Sequence, residues 1–312
     1  VEKPRRKRRH RLRNTLLVLL VIVLGLGALT WFWIDSNLTR VEALSGAPNT
    51  PGRTYLIVGS DARKSDPDNA RTDTIMLLHQ PTSGPTALIS IPRDSYVEIP
   101  GHNPNKINAA YAFGGAPLLV ETVEELSGLT IDGYFEVGFQ GVASVVDAVG
   151  GVELCYDRDV TDKRSKLEWE SGCHVVDGKT ALAFSRMRYS DPLGDIGRTQ
   201  RQQQVVSKVT KEAFKPGVVF NPFRLHAVGN AGMDAVKVSE GTSPLGVAQA
   251  ALAFRSARGD DAVTGTPPIK DMGHRVKGVG STVLLDPEKI DRFWEKIANG
   301  EYEPGTVVGG FG

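Results

Sequence analysis

Apolar and polar positions change rhythm several times along this chain, and each change marks an element. Residues 15–34, TLLVLLVIVLGLGALTWFWI, form an apolar run of twenty residues without a charge. A helix of that length rises about 30 Å, the thickness of the hydrocarbon core of a bilayer. Residues 35–53 then break into Ser-Asn-Leu-Thr, Ser-Gly-Ala-Pro-Asn and Pro-Gly, the composition of a stalk. Short apolar runs at 55–59, 74–79 and 86–91 predict buried strands, the last two joined as a hairpin by Pro-Thr-Ser-Gly-Pro. Residues 117–126 and 139–149 have helical spacing; Pro117 suits a first turn, and Gly150-Gly151 stops the second helix before a strand at 152–155. Residues 181–185, Ala-Leu-Ala-Phe-Ser, predict another strand, and 198–214 a long helix. Residues 301–312, ending Gly-Gly-Phe-Gly, read as a loose tail. The alternation predicts an α/β fold: a three-layer α-β-α sandwich with a central mixed, twisted sheet over residues 54–300, preceded by one transmembrane helix.

Charge changes this picture at one end. The formal net charge is +1, but residues 1–14 hold Lys3, Arg5, Arg6, Lys7, Arg8, Arg9, Arg11 and Arg13 against Glu2 alone. The other residues carry about −6, a poor surface for nucleic acid, so no nucleic-acid partner is expected. A basic cluster directly before an uncharged run, with Trp31 and Trp33 at its far end, predicts a cytoplasmic tail (1–14), a transmembrane helix (15–34), a stalk (35–53) and an extracellular domain. The protein is thus expected to be a single-pass resident of the cell membrane with the lipid bilayer as partner. The competing reading is a cleaved signal peptide ending near Gly25-Leu26-Gly27-Ala28; the apolar run continues past that point through Trp31-Phe32-Trp33-Ile34. On the external side Cys155 and Cys173 would form a disulfide around a charge-rich loop, the alternative being two unrelated buried thiols.

The chemistry-bearing residues cluster at the ends of predicted strands. Asp61 and Arg63 follow the first, Asp73 precedes the second, and Arg93 and Asp94 follow the third. Arg186 and Arg188, two apart on a strand, would present both guanidinium groups on one face, suited to the oxygens of a diphosphate. Arg198, Arg201 and Gln202 fall on one side of a helix near its N-terminal end, where anions are favoured. Asp61 and Asp73 flank a polar loop whose closure would bring together two hard carboxylates, a site for Mg²⁺, with Mn²⁺ equally suited. Lys106 and Asn108 would add a donor or brace the site. Singly, each of these residues could be a solvated or mutually paired charge; together, so many arginines at one sheet end need an anionic ligand. The six histidines lack metal spacing, and Gly59-Ser60-Asp61 is not a nucleophile elbow.

The segments Val-Gly-Ser-Asp-Ala-Arg (58–63), Arg-Thr-Asp-Thr-Ile-Met (71–76), Ser-Ile-Pro-Arg-Asp-Ser (90–95), Lys-Ile-Asn-Ala-Ala-Tyr (106–111) and Phe-Ser-Arg-Met-Arg (184–188), closed by Asp195, Arg198, Arg201, Gln202 and Gln203, occur in that order. This series resembles the LytR-CpsA-Psr family of bacterial membrane-anchored phosphotransferases, over about residues 54–214. The resemblance implies a phosphotransferase that takes a glycopolymer from a polyprenyl-diphosphate-linked donor and joins it to a peptidoglycan acceptor through a phosphodiester. It implies Mg²⁺ at Asp61 and Asp73, a diphosphate grip by Arg93, Arg186, Arg188 and Arg198, a contact from Gln202, and an orienting role for Asp195. Arg63, Arg201 and Lys106 are read as further diphosphate donors, and Asp94 as the base that takes the acceptor proton. The cysteine pair and the Arg-, Ala-, Gly- and Val-rich composition look like an actinobacterial member, whose wall can carry arabinogalactan. Val120, Val142, Val145 and Val146 either line a slot for the lipid tail or simply pack in the core. A polyprenyl-diphosphate hydrolase and a non-catalytic wall-polymer or lipid-carrier binding protein are the alternatives.

Overall fold

The computed structural model describes residues 5–60, 72–187, 190, 191 and 194–311. Asp61, Arg63 and Arg188 lie outside the described residues, as do the side chains of Asp195 and Arg198. The chain divides into two units, residues 1–38 and 39–312.

The first unit is one helix, α1 (Arg5–Asn37), which contains the uncharged run. At its C-terminal end the side chains of Ser36 and Asn37 donate to the carbonyl of Trp33 at 3.1 and 2.7 Å, reinforcing the last turn. Among the described residues no helix is long and apolar enough to cross a membrane. Six apolar positions of this segment (16, 19, 20, 22, 23 and 26) fall outside the described side chains.

The second unit is α/β. Its first half runs β1 (Thr39–Val41), β2 (Arg53–Ser60), β3 (Thr72–Gln80), β4 (Ala87–Ile91), β5 (Tyr96–Ile99), β6 (His102–Lys106), α2 (Ile107–Ser127), β7 (Gly133–Gly138) and α3 (Phe139–Val149). A smaller set follows: β8 (Val152–Tyr156), β9 (Val160–Asp162), β10 (Leu167–Trp169), β11 (Gly172–Val176), α4 (Gly178–Arg186) and α5 (Gly194–Ala213). The rest is α6 (Pro216–Val219), α7 (Pro222–Ala235), β12 (Val236–Ser239), α8 (Pro244–Ser256), β13 (Val263–Val276), β14 (Gly280–Leu285), α9 (Ile290–Asn299) and β15 (Val307–Phe311).

The central sheet is mixed, in the order β1-β12-β7-β2-β3-β4-β13-β14, with β15 also paired to β13. Strand alternation decides which helix covers which face. Ile75 and Leu77 of β3 enter one core with Leu119, Val120 and Val123 of α2 and Phe293, Trp294 and Ile297 of α9. Leu78, fully buried, points the other way by the two-residue period, and α8 packs against β3. A second core joins Val146 and Val149 of α3 to Leu154, Trp169, Phe184, Met187, Val205 and Val209. Both predicted helices at 117–126 and 139–149 are present. The first extends back to Ile107, interrupted by non-helical backbone at Gly114 and Gly115, so that Pro117 still opens a helical segment.

Three expectations are corrected. Residues 181–185 are not a strand but part of α4. Asp177 caps that helix, accepting the Thr180 amide at 2.8 Å, and Ala181, Phe184 and Ser185 form its buried stripe at i, i+3, i+4. Five small and apolar residues fit either period, and the cap decides it. The two-apart argument for Arg186 and Arg188 therefore lapses. The tail expected at 301–312 contains β15, whose backbone groups pair parallel to β13 from Thr264 to Ile269. Within the stretch expected as stalk, Thr39–Val41 adds an edge strand parallel to β12.

Candidate functional site

Asp73, Arg93, Asp94 and Lys106 meet at one end of the sheet because three strands finish or begin there. The antiparallel register pairs Ile75 with Ile91, which puts the start of β3 beside the end of β4. Pro92 ends β4 and Arg93 leads a tight turn closed by the Ser95 amide on the Pro92 carbonyl at 2.9 Å. That turn is gripped by its surroundings. The Asn108 amide at the start of α2 donates to Arg93 O at 3.2 Å, Ile107 to Ser95 O at 2.8 Å, and Val283 of β14 to Asp94 O at 2.8 Å. The Lys-Ile-Asn segment thus holds the arginine turn by its backbone.

The side chains form a continuous ionic chain. Arg93 is ion-paired with Asp73 and lies 3.5 Å from Asp94, whose other oxygen accepts from Lys106 Nζ at 2.8 Å. All four are partly buried, with side-chain exposures between 17 and 35%. They are neither freely solvated nor sealed, the setting in which an added anion would meet Arg93 and Lys106 at low competition from water. Thr72 and Ser95, next in sequence to Asp73 and Asp94, each bury a hydroxyl without a hydrogen-bond partner. Buried polar atoms without partners are costly and point to a missing ligand or water. Asp73 supplies one hard carboxylate of the kind that Mg²⁺ or Mn²⁺ takes. Among the described residues no group of three His, Cys, Asp or Glu could hold a metal ion, and Asp61 lies outside them.

A second polar cluster is built on Glu136. Glu136 of β7 is 2% exposed, and its carboxylate accepts from Tyr111 at 2.9 Å, Tyr134 at 3.0 Å and Lys237 at 2.8 Å. Burial, then the negative Glu136, pushes both phenols up, so they stay protonated donors. Tyr111 also bonds Ser60, the last residue of β2, which ties the segment at 106–111 to the strand that leads into residue 61.

Arg201 is placed inside the protein, 4% exposed. It is ion-paired with Asp191, its Nε donates to Phe184 O at 3.0 Å, and it donates to Met187 O. Those carbonyls belong to the C-terminal turn of α4, which Arg201 therefore caps, fixing the residue that follows Ser185. Arg186, partly buried, is the last residue of α4. Gln202, on α5 with Arg201, lines a narrow slot with Val142, Ala143, Ala181, Leu182, Ser185, Val205 and Val206. Gln204 clamps α5 to β8: it accepts from the Cys155 amide at 3.1 Å and donates to the Cys155 carbonyl at 3.2 Å. Cys155 is disulfide-bonded to Cys173, directly opposite on β11.

The structure thus brings Asp73, Arg93, Asp94 and Lys106 together and commits Arg201 to Asp191. Asp61, Arg63, Arg188, and the side chains of Asp195 and Arg198, lie outside the described residues. Sequence reasoning missed Glu136, Lys237, Asp191 and Gln204. The first two are 101 residues apart, and no local spacing pairs them; Glu in an otherwise apolar strand segment, Tyr-Phe-Glu-Val, was the one available signal.

Residues 35–281 match the LytR_cpsA_psr family. The chain is 41% identical over 288 residues to the Corynebacterium glutamicum "Probable cell wall biosynthesis protein LcpB", covering 88% of this chain and 68% of that one. It is 30% identical over 298 residues to the polyisoprenyl-teichoic acid–peptidoglycan teichoic acid transferase TagU of Enterococcus faecalis, covering 91% of this chain and 94% of the other. The fold is that of the LytR-Csp2A-Psr enzyme from Actinomyces oris, with a TM-score of 0.61 at 20% identity over 84% of this chain and 96% of that one.

Proposed function

This chain belongs to the LytR-CpsA-Psr family of cell-wall biosynthesis proteins, and from that premise we propose that it is a phosphotransferase. It moves a glycopolymer from a polyprenyl-diphosphate carrier to a hydroxyl of peptidoglycan. The acceptor oxygen forms a bond to the phosphorus that carries the glycan, the bond from that phosphorus to the polyprenyl phosphate breaks, and the hydroxyl proton passes to a carboxylate. The product is a phosphodiester.

The observation that carries this reading is the partly buried chain Asp73–Arg93–Asp94–Lys106 at the sheet end. A diphosphate donor carries negative charge that repels an incoming oxygen. Arg93, fixed by ion pairs and by backbone bonds to its turn, and Lys106 present donors to that charge with little reorganisation, while the metal would offset the carboxylates. Arg186, Arg188 and Arg198 would extend the grip, with Arg63 and Lys106 as further donors. Arg201, braced by Asp191, holds the end of α4 that leads into this set. Asp94, between Arg93 and Lys106, is the proposed proton acceptor, and Asp195 would orient an arginine. Mg²⁺ or Mn²⁺ would be held by Asp73 with Asp61 and would supply charge neutralisation at the phosphate oxygens.

Location follows from the sequence. The uncharged run at 15–34 behind eight bases supports a single-pass anchor, a cytoplasmic N-terminus and an extracellular catalytic unit. An anchor would keep the site near the bilayer that holds its donor. The similarity to a corynebacterial protein supports an actinobacterial wall, with arabinogalactan as the polymer to try first.

A labelled polyprenyl-diphosphate glycan incubated with peptidoglycan tests the reading. Covalent label on peptidoglycan, lost in Asp73→Asn, is the expected result. Release of glycan phosphate to water alone would replace it with a hydrolase, and retention of uncleaved donor with a binding protein.

A further inference from the structure

A groove of about 480 Å³ lies between β13, β15 and α9, apart from the residues assigned above. Its walls are Pro268 and Ile269, the backbone of Gly309 and Gly310, the rings of Phe293 and Tyr302, and four charged side chains: Glu288, Lys289, Arg292 and Lys296. Three cations against one acid leave the lining net positive. Lys289 immediately precedes α9 and Arg292 and Lys296 are four apart on it, so the helix turns a basic side to the groove, while Trp294 and Ile297 enter the core and Phe293 lies between the two. Lys289 is paired with Asp286 at 3.4 Å, and Lys296 Nζ sits 5.4 Å from the centroid of the Tyr302 ring, so both bases are held in place. Phe293 lies 6.1 Å from Tyr302, giving the groove an apolar wall beside its charges.

The groove adjoins the ionic cluster. β13 runs parallel to β4 with Gly265 opposite Ile89, and from there it continues through Pro268 toward the end where β4 delivers Arg93. On the other side Val283 of β14 bridges Ser95 and donates to Asp94 O. Two residues further, about 7 Å along a strand, Leu285 pairs with Ile269 in the groove wall. The groove wall and the backbone that holds Asp94 are thus two residues apart on one strand.

We propose that this groove binds an anionic saccharide unit of the wall, a sugar bearing a carboxylate or a phosphate, and so holds one of the two polymers in register with the transfer site. Its size is that of a small-ligand site, and Arg and Lys at helical spacing suit carboxylate and phosphate alike. The assignment of a polymer to the groove rests on the wall-polymer reading above; the binding itself does not.

The test uses the full chain in detergent micelles, titrated with N-acetylmuramic acid, N-acetylglucosamine 1-phosphate and neutral N-acetylglucosamine, followed by ligand-observed NMR. Tighter binding of at least one anionic sugar than of the neutral one is expected, weakened at least tenfold in Arg292→Gln/Lys296→Gln. The arm that binds identifies the source, carboxylate or phosphate. Equal binding of all three sugars, or binding that the double substitution leaves intact, overturns the proposal. If the chain binds these sugars yet transfers nothing, the transfer reading falls and the groove stands.

Discussion

Arg201 and Asp191 face each other in an ion pair whose side chains are 4% and 3% exposed. Ten residues apart in sequence, they are brought together because Arg201 reaches off α5 to the carbonyls of Phe184 and Met187 at the end of α4. The guanidinium also stands 5.8 Å from the Tyr156 ring and 6.0 Å from that of Phe184, so it joins three elements. Asp191 can approach closely because residue 197 is glycine; a side chain there would collide with its carboxylate. Removing one partner of a buried pair strands the other charge, at a cost of about 3–5 kcal/mol. Arg201→Met should lose that much in urea unfolding. Arg201→Lys, which keeps the charge but not the fork, should also be destabilised. Should Arg201→Lys unfold like the parent yet bind a prenyl diphosphate poorly, the residue contacts ligand and does not brace.

The Asp73–Arg93 pair behaves differently because both groups retain contact with water. Arg93→Ala and Asp73→Asn are expected to change folding stability by about 1 kcal/mol or less. Transfer should fall by roughly a hundredfold or more, the scale for removing a group that meets developing charge. Single-turnover rates and urea melts on the same preparations separate the two effects.

The Cys155–Cys173 bond closes a loop of 18 residues and lies where Gln204 grips β8. Cys155→Ser/Cys173→Ser should cost about 3 kcal/mol by loop entropy. Because α5 hangs on that strand through Gln204, donor binding should weaken along with stability. Thermal melts with and without reductant provide the check: the parent should shift on reduction and the double variant should not.

His79 gives the fold an acid-sensitive point. It is fully buried, with its two ring nitrogens facing Thr54 Oγ1 at 3.0 Å and Ala298 O at 3.2 Å, and desolvation lowers its pKa below the ordinary 6.5. The unfolded chain therefore takes up a proton before the folded one. This contribution is constant above about pH 6.5 and is lost as pH falls below it. Melting curves at pH 7.5 and 5.5 should show a drop that His79→Gln makes smaller.

Local pattern made much of the fold legible. The runs at 55–59, 74–79 and 86–91 are the cores of β2, β3 and β4, and α3 spans the predicted residues. The motif segments led to the family, and the strand ends had already set Asp73, Arg93 and Asp94 apart. Pattern failed where two periods fit equally, as at Ala-Leu-Ala-Phe-Ser, and where pairing came from far away, as for β15. Tyr111 and Glu136 belong to different elements, so their bond has no local signature.

The sequence by itself determined where strands and helices begin, because backbone preference and side-chain periodicity act over a few residues. It also carried the family motifs. The tertiary structure alone decided which ion pairs stay half-open to solvent and which are sealed. Arg93 and Arg201 are the same residue type, each beside an element end. One meets its carboxylate in a half-open turn, the other beneath a helix where water is excluded. That difference comes from what packs above them, and packing is a property of the whole chain.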